Sequence, residues 1–483
     1  MAKQHSIFIN MSWSFMAQVF SQAAGIIIST ILARLLSPDD YGTLALTQVF
    51  ITLADVFVVS GVGVSLIQDQ SATKDDFSTA FFMSLTVGCV LWTVMFICAP
   101  YIASYYKNCE LILYIRVLSI KLPVASIYTI LYAIIAKRMD FGKIFWATIG
   151  GSVISGLIGI TLAVYGFGIW ALIWQALASQ IISTLILAFV VRWCPAWSFS
   201  WEKAKSYFSY CIKVTGAELL SSLIAQLQTL MIGKKYTNAD LAFFNQGQKY
   251  PGMLASDVTG SLSAVMFPAI ANETDDMFNV KKLMQNSVRI SSFLVTPMMA
   301  GLAAISKTIV SLVLTDKWLP CVPYMQIACF VNLFSSINPI NYQAIKAIGK
   351  GGTFFRMQIV KVGINIVLLI LALPHGVLAV ALSGMISTIC ACIVNVYPTG
   401  KYVGYGLGSQ LRDMLPSVLY AIPMVVVVLT IKQVYQGNLL VLLVLQIFSG
   451  FSVYIGIAAI FRSSSLLYFF GKMKTFLKGA HLK

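Results

Sequence analysis

Long apolar runs separated by short polar turns fill nearly the whole chain, and the first pair sets the pattern. Trp13 to Leu32 is apolar over roughly the 20 residues that cross a bilayer. Ala33-Arg34-Leu35-Leu36-Ser37-Pro38-Asp39-Asp40-Tyr41-Gly42 then breaks the helix and starts another. Pro fixes φ and lacks a donor, while Ser and Asp favour turns and N-caps. Tyr41 to Leu66 reads as the returning helix. Continued along the chain, the pattern predicts fourteen spans, at roughly 13–35, 42–66, 78–100, 111–136, 144–165, 168–192, 208–233, 241–270, 286–312, 321–347, 354–373, 376–397, 414–432 and 438–461. Turns such as Lys137-Arg138-Met139-Asp140, Gly166-Phe167-Gly168, Pro374-His375-Gly376 and Gln436-Gly437-Asn438 are short, so consecutive helices are antiparallel neighbours.

Several spans carry polar residues on one face. In the first, Ser14, Gln18, Ser21, Gln22, Gly25 and Ser29 share about a third of the circumference. Two readings stand: close helix packing through small residues, or the wall of a polar cavity. Glu218, Ser221, Ser222 and Thr229 share a face of the seventh span, and Gln246, Lys249 and Asp257 a face of the eighth. Lys249 and Asp257 are separated by a rise of about 12 Å, too far to pair directly.

Composition places this pattern in a membrane. The 483 residues are 58% hydrophobic and 10% charged, with mean hydropathy +0.84. Soluble domains carry roughly 25% charge, so the chain is an integral membrane protein. Its first residues predict an uncleaved first helix rather than a removable signal peptide. With the N-terminus inside, 23 Lys and Arg fall on inner segments, while outer ends receive only Arg34, Lys107, Lys234, Lys235, Lys307, Lys317 and Lys432. That bias predicts both termini in the cytoplasm and accounts for the formal charge of +16 without nucleic acid. His5, His375 and His481 are scattered, no C-x-x-C pair occurs, and no nucleotide-binding P-loop is present. No metal site, cofactor or catalytic constellation is expected.

The longest inner loop, Arg192 to Tyr210, interleaves Trp193, Trp197, Phe199 and Trp201 with Lys203 and Lys205, as an interfacial segment does. It divides two similar halves. An offset of 200 sets Ser29 on Thr229, Arg34 on Lys234, Ser37 on Thr237, Asp40 on Asp240, Gln48 on Gln248 and Phe50 on Tyr250. The expected organisation is an N-lobe at 1–200 with spans 1–6, a C-lobe at 201–405 with spans 7–12, and a remainder at 406–483 with spans 13–14 and a cytoplasmic basic tail. Two six-helix lobes entering the membrane in the same sense imply a pseudo-two-fold axis along its normal and a cavity between them.

The runs ILARLLSPDDYG, NADLAFFNQGQKYPGML at 238–254, PAI after Phe267, FLVTPMMAGLAAISKTIVSLVLTDKWLP at 293–320 and NPINYQAIKAIGK at 338–350 resemble the Wzx-type polysaccharide flippases. These belong to the superfamily of multidrug extruders and lipid II flippases. The resemblance covers about residues 7–400. It implies a bacterial inner-membrane protein that flips undecaprenyl-pyrophosphate-linked oligosaccharide by alternating access for surface polysaccharide assembly. Expected partners are the lipid-linked oligosaccharide, membrane lipids, and polysaccharide polymerase and assembly proteins.

The residues fit such a task on their own terms. Arg116 and Lys121 in the fourth span and Lys249 in the eighth place cations where each costs about 2.5–3.5 kcal/mol or more. Arg116 can snorkel to the headgroups; Lys121, beside Pro123, and Lys249 do so less readily. With Arg34 they are expected to make a cationic cavity for pyrophosphate or acidic sugars, since lysine's compact charge suits a ligand in transit. Gln18, Gln22, Glu218, Gln246, Asp257 and Asp55 complete the candidate lining. Asp55 and Glu218 equally leave open a cation-coupled multidrug or small-molecule antiporter of the same superfamily. A membrane glycosyltransferase or polymerase needs a long outer loop bearing acids or arginines, and the outer connections are short.

Overall fold

The computed structural model describes residues 2–59, 63, 66, 73–138, 140–273, 276–435, 437–461 and 463, among which there is no strand. Its first half contains α1 (Ala2–Leu35), α2 (Pro38–Val59), α3 (Lys74–Tyr106), α4 (Leu111–Leu118), α5 (Lys121–Arg138), α6 (Phe141–Val164), α7 (Ile169–Val191) and α8 (Trp201–Lys235). There follow α9 (Asn238–Ala271), α10 (Met277–Ile309), α11 (Val322–Leu333), α12 (Asn338–Ala347), α13 (Gly351–Ala372), α14 (Val377–Val403), α15 (Leu407–Val434) and α16 (Leu439–Ile460). The end of the expected second span beyond Val59 is largely outside the described residues, as are Arg462, Lys472, Lys474, Lys478 and Lys483 of the basic tail.

The chain is an all-α, multi-pass membrane protein. Among the described residues, thirteen stretches are long and apolar enough to span a bilayer. The expected seventh span, α8, is not one of them, although its 35 residues form a continuous helix of about 52 Å. Glu218, Ser221, Ser222, Gln226 and Gln228 lower its hydropathy. Trp201 to Tyr210, read from the sequence as part of a loop, belongs to this helix, and residues 192–200 form the irregular connection.

The chain divides into two compact units, at 1–242 and 243–483. In the first, α6 and α7 form a close hairpin: a Cβ at Gly151 would meet the Ser183 hydroxyl and crowd the Ser179 carbonyl at 3.1 Å, which glycine avoids. Ile130, Ile134, Ala147, Leu187 and Tyr207 bring α5, α6, α7 and α8 into one apolar cluster. The 192–200 connection is strapped to the start of α3, where the Ala196 and Ser200 backbone amides donate to Ser78 and Thr79 hydroxyls at 2.9 and 3.1 Å. Asp76 both caps α3, accepting from the Thr73 amide at 2.9 Å, and faces Lys203 at 3.6 Å.

The second unit packs Ile270, Met284, Ile337, Ile340 and Tyr405 together around a buried polar knot. Asn341 and Gln410 exchange two amide hydrogen bonds of 2.9 Å, Thr399 donates to Asn341 at 2.8 Å, and Gln410 also donates to the Tyr405 carbonyl at 3.0 Å. Alongside it, Asp413 accepts from Arg289 at 2.6 Å and from the Tyr405 hydroxyl at 2.8 Å. Burial and this carboxylate together push the Tyr405 phenol well above its ordinary range. Replacing Gln410 by leucine strands Asn341 and the Tyr405 carbonyl. At about 1–3 kcal/mol for each group left unsatisfied, a lowered melting temperature of the purified protein is the expected result.

Spans four and ten are each broken. α4 ends at Leu118, tight turns place Ile120 N and Leu122 N on the carbonyls of Val117 and Ser119, and α5 begins with Pro123 in its first turn. α11 likewise ends at Leu333, a short tight turn covers Phe334–Ser336, and α12 begins with Pro339 in its first turn. Proline in a first turn gives up no intrahelical amide bond, which suits each restart, and spans four and ten are interrupted at corresponding places.

Candidate functional site

The two turns matched by the 200-residue offset are built alike. The Ser37 hydroxyl donates to Asp40 at 2.6 Å, and the Asp40 amide donates back at 3.2 Å. Thr237 and Asp240 repeat this at 2.7 and 3.1 Å. Each is a reciprocal cap at the start of a helix, with its acid near the positive end of the dipole. The turns also meet: the Asn238 side chain donates to the Thr43 hydroxyl at 3.0 Å, and a Cβ at Gly42 would fall inside the Asn238 carbonyl group. Leu46 packs where a Gly233 side chain would be, Lys234 donates to the Tyr105 carbonyl, and its ammonium lies 3.7 Å from the Tyr105 ring centroid. Both turns therefore lie at one end of the first unit, joined by close contacts.

Of the candidate lining residues, the structure brings Asp55 and Lys121 together, with an Nζ to Oδ2 distance of 3.7 Å and 23% and 21% of their side chains exposed. Lys121 opens α5 at the break of span four, where the helix dipole disfavours a cation and a carboxylate offsets it. The second Asp55 oxygen, Oδ1, is buried and accepts no hydrogen bond among the described residues. Arg116 is held elsewhere, its Nε donating to the Phe96 carbonyl at 3.3 Å and its guanidinium 4.0 Å from the Phe96 ring centroid.

The other candidates fall in both units. Arg34 and Gln18 are exposed, and Gln22 is half-buried. Glu218 is exposed on α8, Lys249 and Asp257 are half-buried on α9, and the buried Gln246 places its Nε2 3.5 Å from the Tyr250 hydroxyl. Sequence reasoning missed Lys361, which it assigned to an inner segment although the residue lies in the middle of α13. Its signal was a cation set between Ile359-Val360 and Val362-Gly363-Ile364, with Arg356 preceding it in the same helix.

The second unit also contains two open clefts of about 450 Å³ each. One is lined by Phe293, Pro297, Met298, Met424, Gln446 and Phe451 and is almost wholly apolar. The other has Ser306, Lys307, Gln326 and Lys432 among apolar neighbours. Among the described residues no group of His, Cys, Asp and Glu could hold a metal ion.

This arrangement of broken and continuous spans defines a transporter-type membrane fold. The backbone is similar to the lipid II flippase MurJ in its inward closed conformation, with a TM-score of 0.72 at 16% identity over 94% of this chain and 98% of that one. The chain belongs to the family described as polysaccharide biosynthesis protein, whose model matches residues 31–323. It is 21% identical to the succinoglycan biosynthesis transport protein ExoT of Rhizobium meliloti (strain 1021) over 84% of this chain and 81% of the relative. It is 24% identical to the lipopolysaccharide biosynthesis protein WzxC of Escherichia coli (strain K12) over 88% of each.

Proposed function

We propose that the protein is a flippase that moves undecaprenyl-pyrophosphate-linked oligosaccharide across the bacterial inner membrane for surface polysaccharide assembly. Membership of the polysaccharide biosynthesis family carries this reading. The chemistry suits it: a flippase needs a polar route for a head group, positive charge for phosphate, and apolar surface for a lipid tail, but no catalytic constellation. Lys121 and Lys249 are candidates for the charge, and the cleft beside Phe293 and Phe451 has the apolar character an isoprenoid chain requires.

In this reading both termini face the cytoplasm, as the Lys and Arg bias supports. In that orientation the joined turns at Gly42 and Asn238 lie on the outer side, where their separation and closure would gate release. Deletion of the gene should cause lipid-linked oligosaccharide to accumulate on the cytoplasmic leaflet, measured by its protection from a glycan-modifying reagent added outside. Unchanged surface glycan with impaired drug efflux would favour the antiporter alternative instead.

A further inference from the structure

Between Asp316 and Asp413 the chain has no acidic residue but seven Lys and Arg. A positive-inside bias accounts for the cations at helix ends and not for one in mid-span. Lys361 is the eleventh residue of α13 and lies well inside the membrane-spanning stretch Gly352–His375. A lysine there needs a carboxylate, water or an anionic ligand.

Its nearest protein partner is an aromatic residue. Lys361 Nζ donates to the Tyr342 hydroxyl at 2.7 Å and lies 4.1 Å from that ring's centroid. Tyr342, on α12, meets Phe354 of α13 edge-on at 4.9 Å. A second ammonium, Lys346, reaches the same pair, 5.8 Å from the Tyr342 centroid and 4.9 Å from that of Phe354. Among the described residues no carboxylate lies within 4 Å of either ammonium. Two cations thus converge on one aromatic platform whose hydroxyl can hydrogen-bond an ammonium but cannot neutralise it.

We propose that Lys346, Tyr342 and Lys361 form a binding site for the phosphate group of a lipid-borne substrate. The inference rests on the flippase reading and adds to it a recognition point in the second unit. A phosphate supplies the missing negative charge and accepts hydrogen bonds from two ammoniums. Lysines hold it as point charges rather than by a bidentate fork, which permits release. The same chemistry is carried by a polyprenyl pyrophosphate and by an anionic phospholipid, and the proposal commits to the former.

The test uses the full chain in neutral phosphatidylcholine nanodiscs, with undecaprenyl pyrophosphate as the titrated probe. K346Q/K361Q should bind it at least about tenfold more weakly than wild type, a loss in the range of a charge-assisted contact. Y342F should bind about threefold more weakly through loss of one hydrogen bond. K350Q/K401Q removes the same charge from the pair stacked on Tyr402 and should bind as wild type does. Inorganic pyrophosphate should compete, and phosphatidylglycerol at the same concentration should not. Equal binding by wild type and both site variants overturns the site while leaving the flippase reading intact; so does an equal loss in K350Q/K401Q, or equal competition by phosphatidylglycerol. If K346Q/K361Q fails to fold, Y342F decides alone. Failure of wild type to bind the probe overturns the flippase reading, and the site with it.

Discussion

Replacing Gly42 by leucine should abolish most polysaccharide export while leaving the protein inserted in the membrane. The Cα of Gly42 abuts the Asn238 backbone, which cannot rotate aside as a flexible side chain could. Any side chain at position 42 must push apart the reciprocal caps at Asp40 and Asp240 and the bond from Asn238 to Thr43. Overpacking of this kind costs roughly 1–3 kcal/mol. A two-state opening equilibrium shifts by about 5- to 150-fold for such a cost. A cysteine placed at Thr43 should correspondingly react faster with an impermeant thiol reagent in the Gly42→Leu background. Normal export by Gly42→Leu at matched protein levels would show that the contact has no part in transport.

Asp55→Asn should destabilise the protein by leaving Lys121 without its carboxylate. Breaking a fully buried ion pair from one side costs roughly 3–5 kcal/mol. The loss here is smaller, because about a fifth of each side chain keeps contact with the surroundings. Asp55→Asn combined with Lys121→Met should regain most of the lost thermal stability, since no uncompensated charge remains. Export separates the two roles of Lys121. If the ammonium also meets cargo phosphate, the stable double variant exports little, and adding Lys249→Gln lowers export further. Full export by the Asp55→Asn, Lys121→Met protein would make Lys121 a structural partner of Asp55 and nothing more.

The spans and their turns were legible because the membrane imposes both length and apolarity, and because Ser37-Pro38-Asp39-Asp40 and Thr237-Asn238-Ala239-Asp240 write their caps locally. The α8 helix was legible as a helix in spite of its polar face. The breaks in spans four and ten were less visible. Pro123 and Pro339 mark the restart of a helix, but a proline alone does not reveal a break, since Pro251, Pro297 and Pro423 lie inside continuous helices. Asp55 and Lys121 were both singled out, yet their pairing depends on how α2 packs on α5, across 65 intervening residues. Lys361 was hidden for a different reason: a charge bias that identifies the side of a loop says nothing of a cation buried between two helices, and an α12–α13 hairpin had to be folded before Tyr342 came within its reach.

The meeting of the two turns can be compared with an interface between identical subunits. An isologous contact is self-complementary: whatever one copy presents at a first position, the other receives at a second, and the reverse contact exists as well. The 200-residue offset carries Gly42 onto Ala242 and Asn238 onto Pro38, so the reverse of the observed contact would set Ala242 against Pro38. Ala242 is itself small and is 2% exposed. In a single polypeptide the two matched turns are free to differ, and here glycine meets a hydrogen-bonding asparagine on one side of the join while the offset pairs alanine with proline on the other.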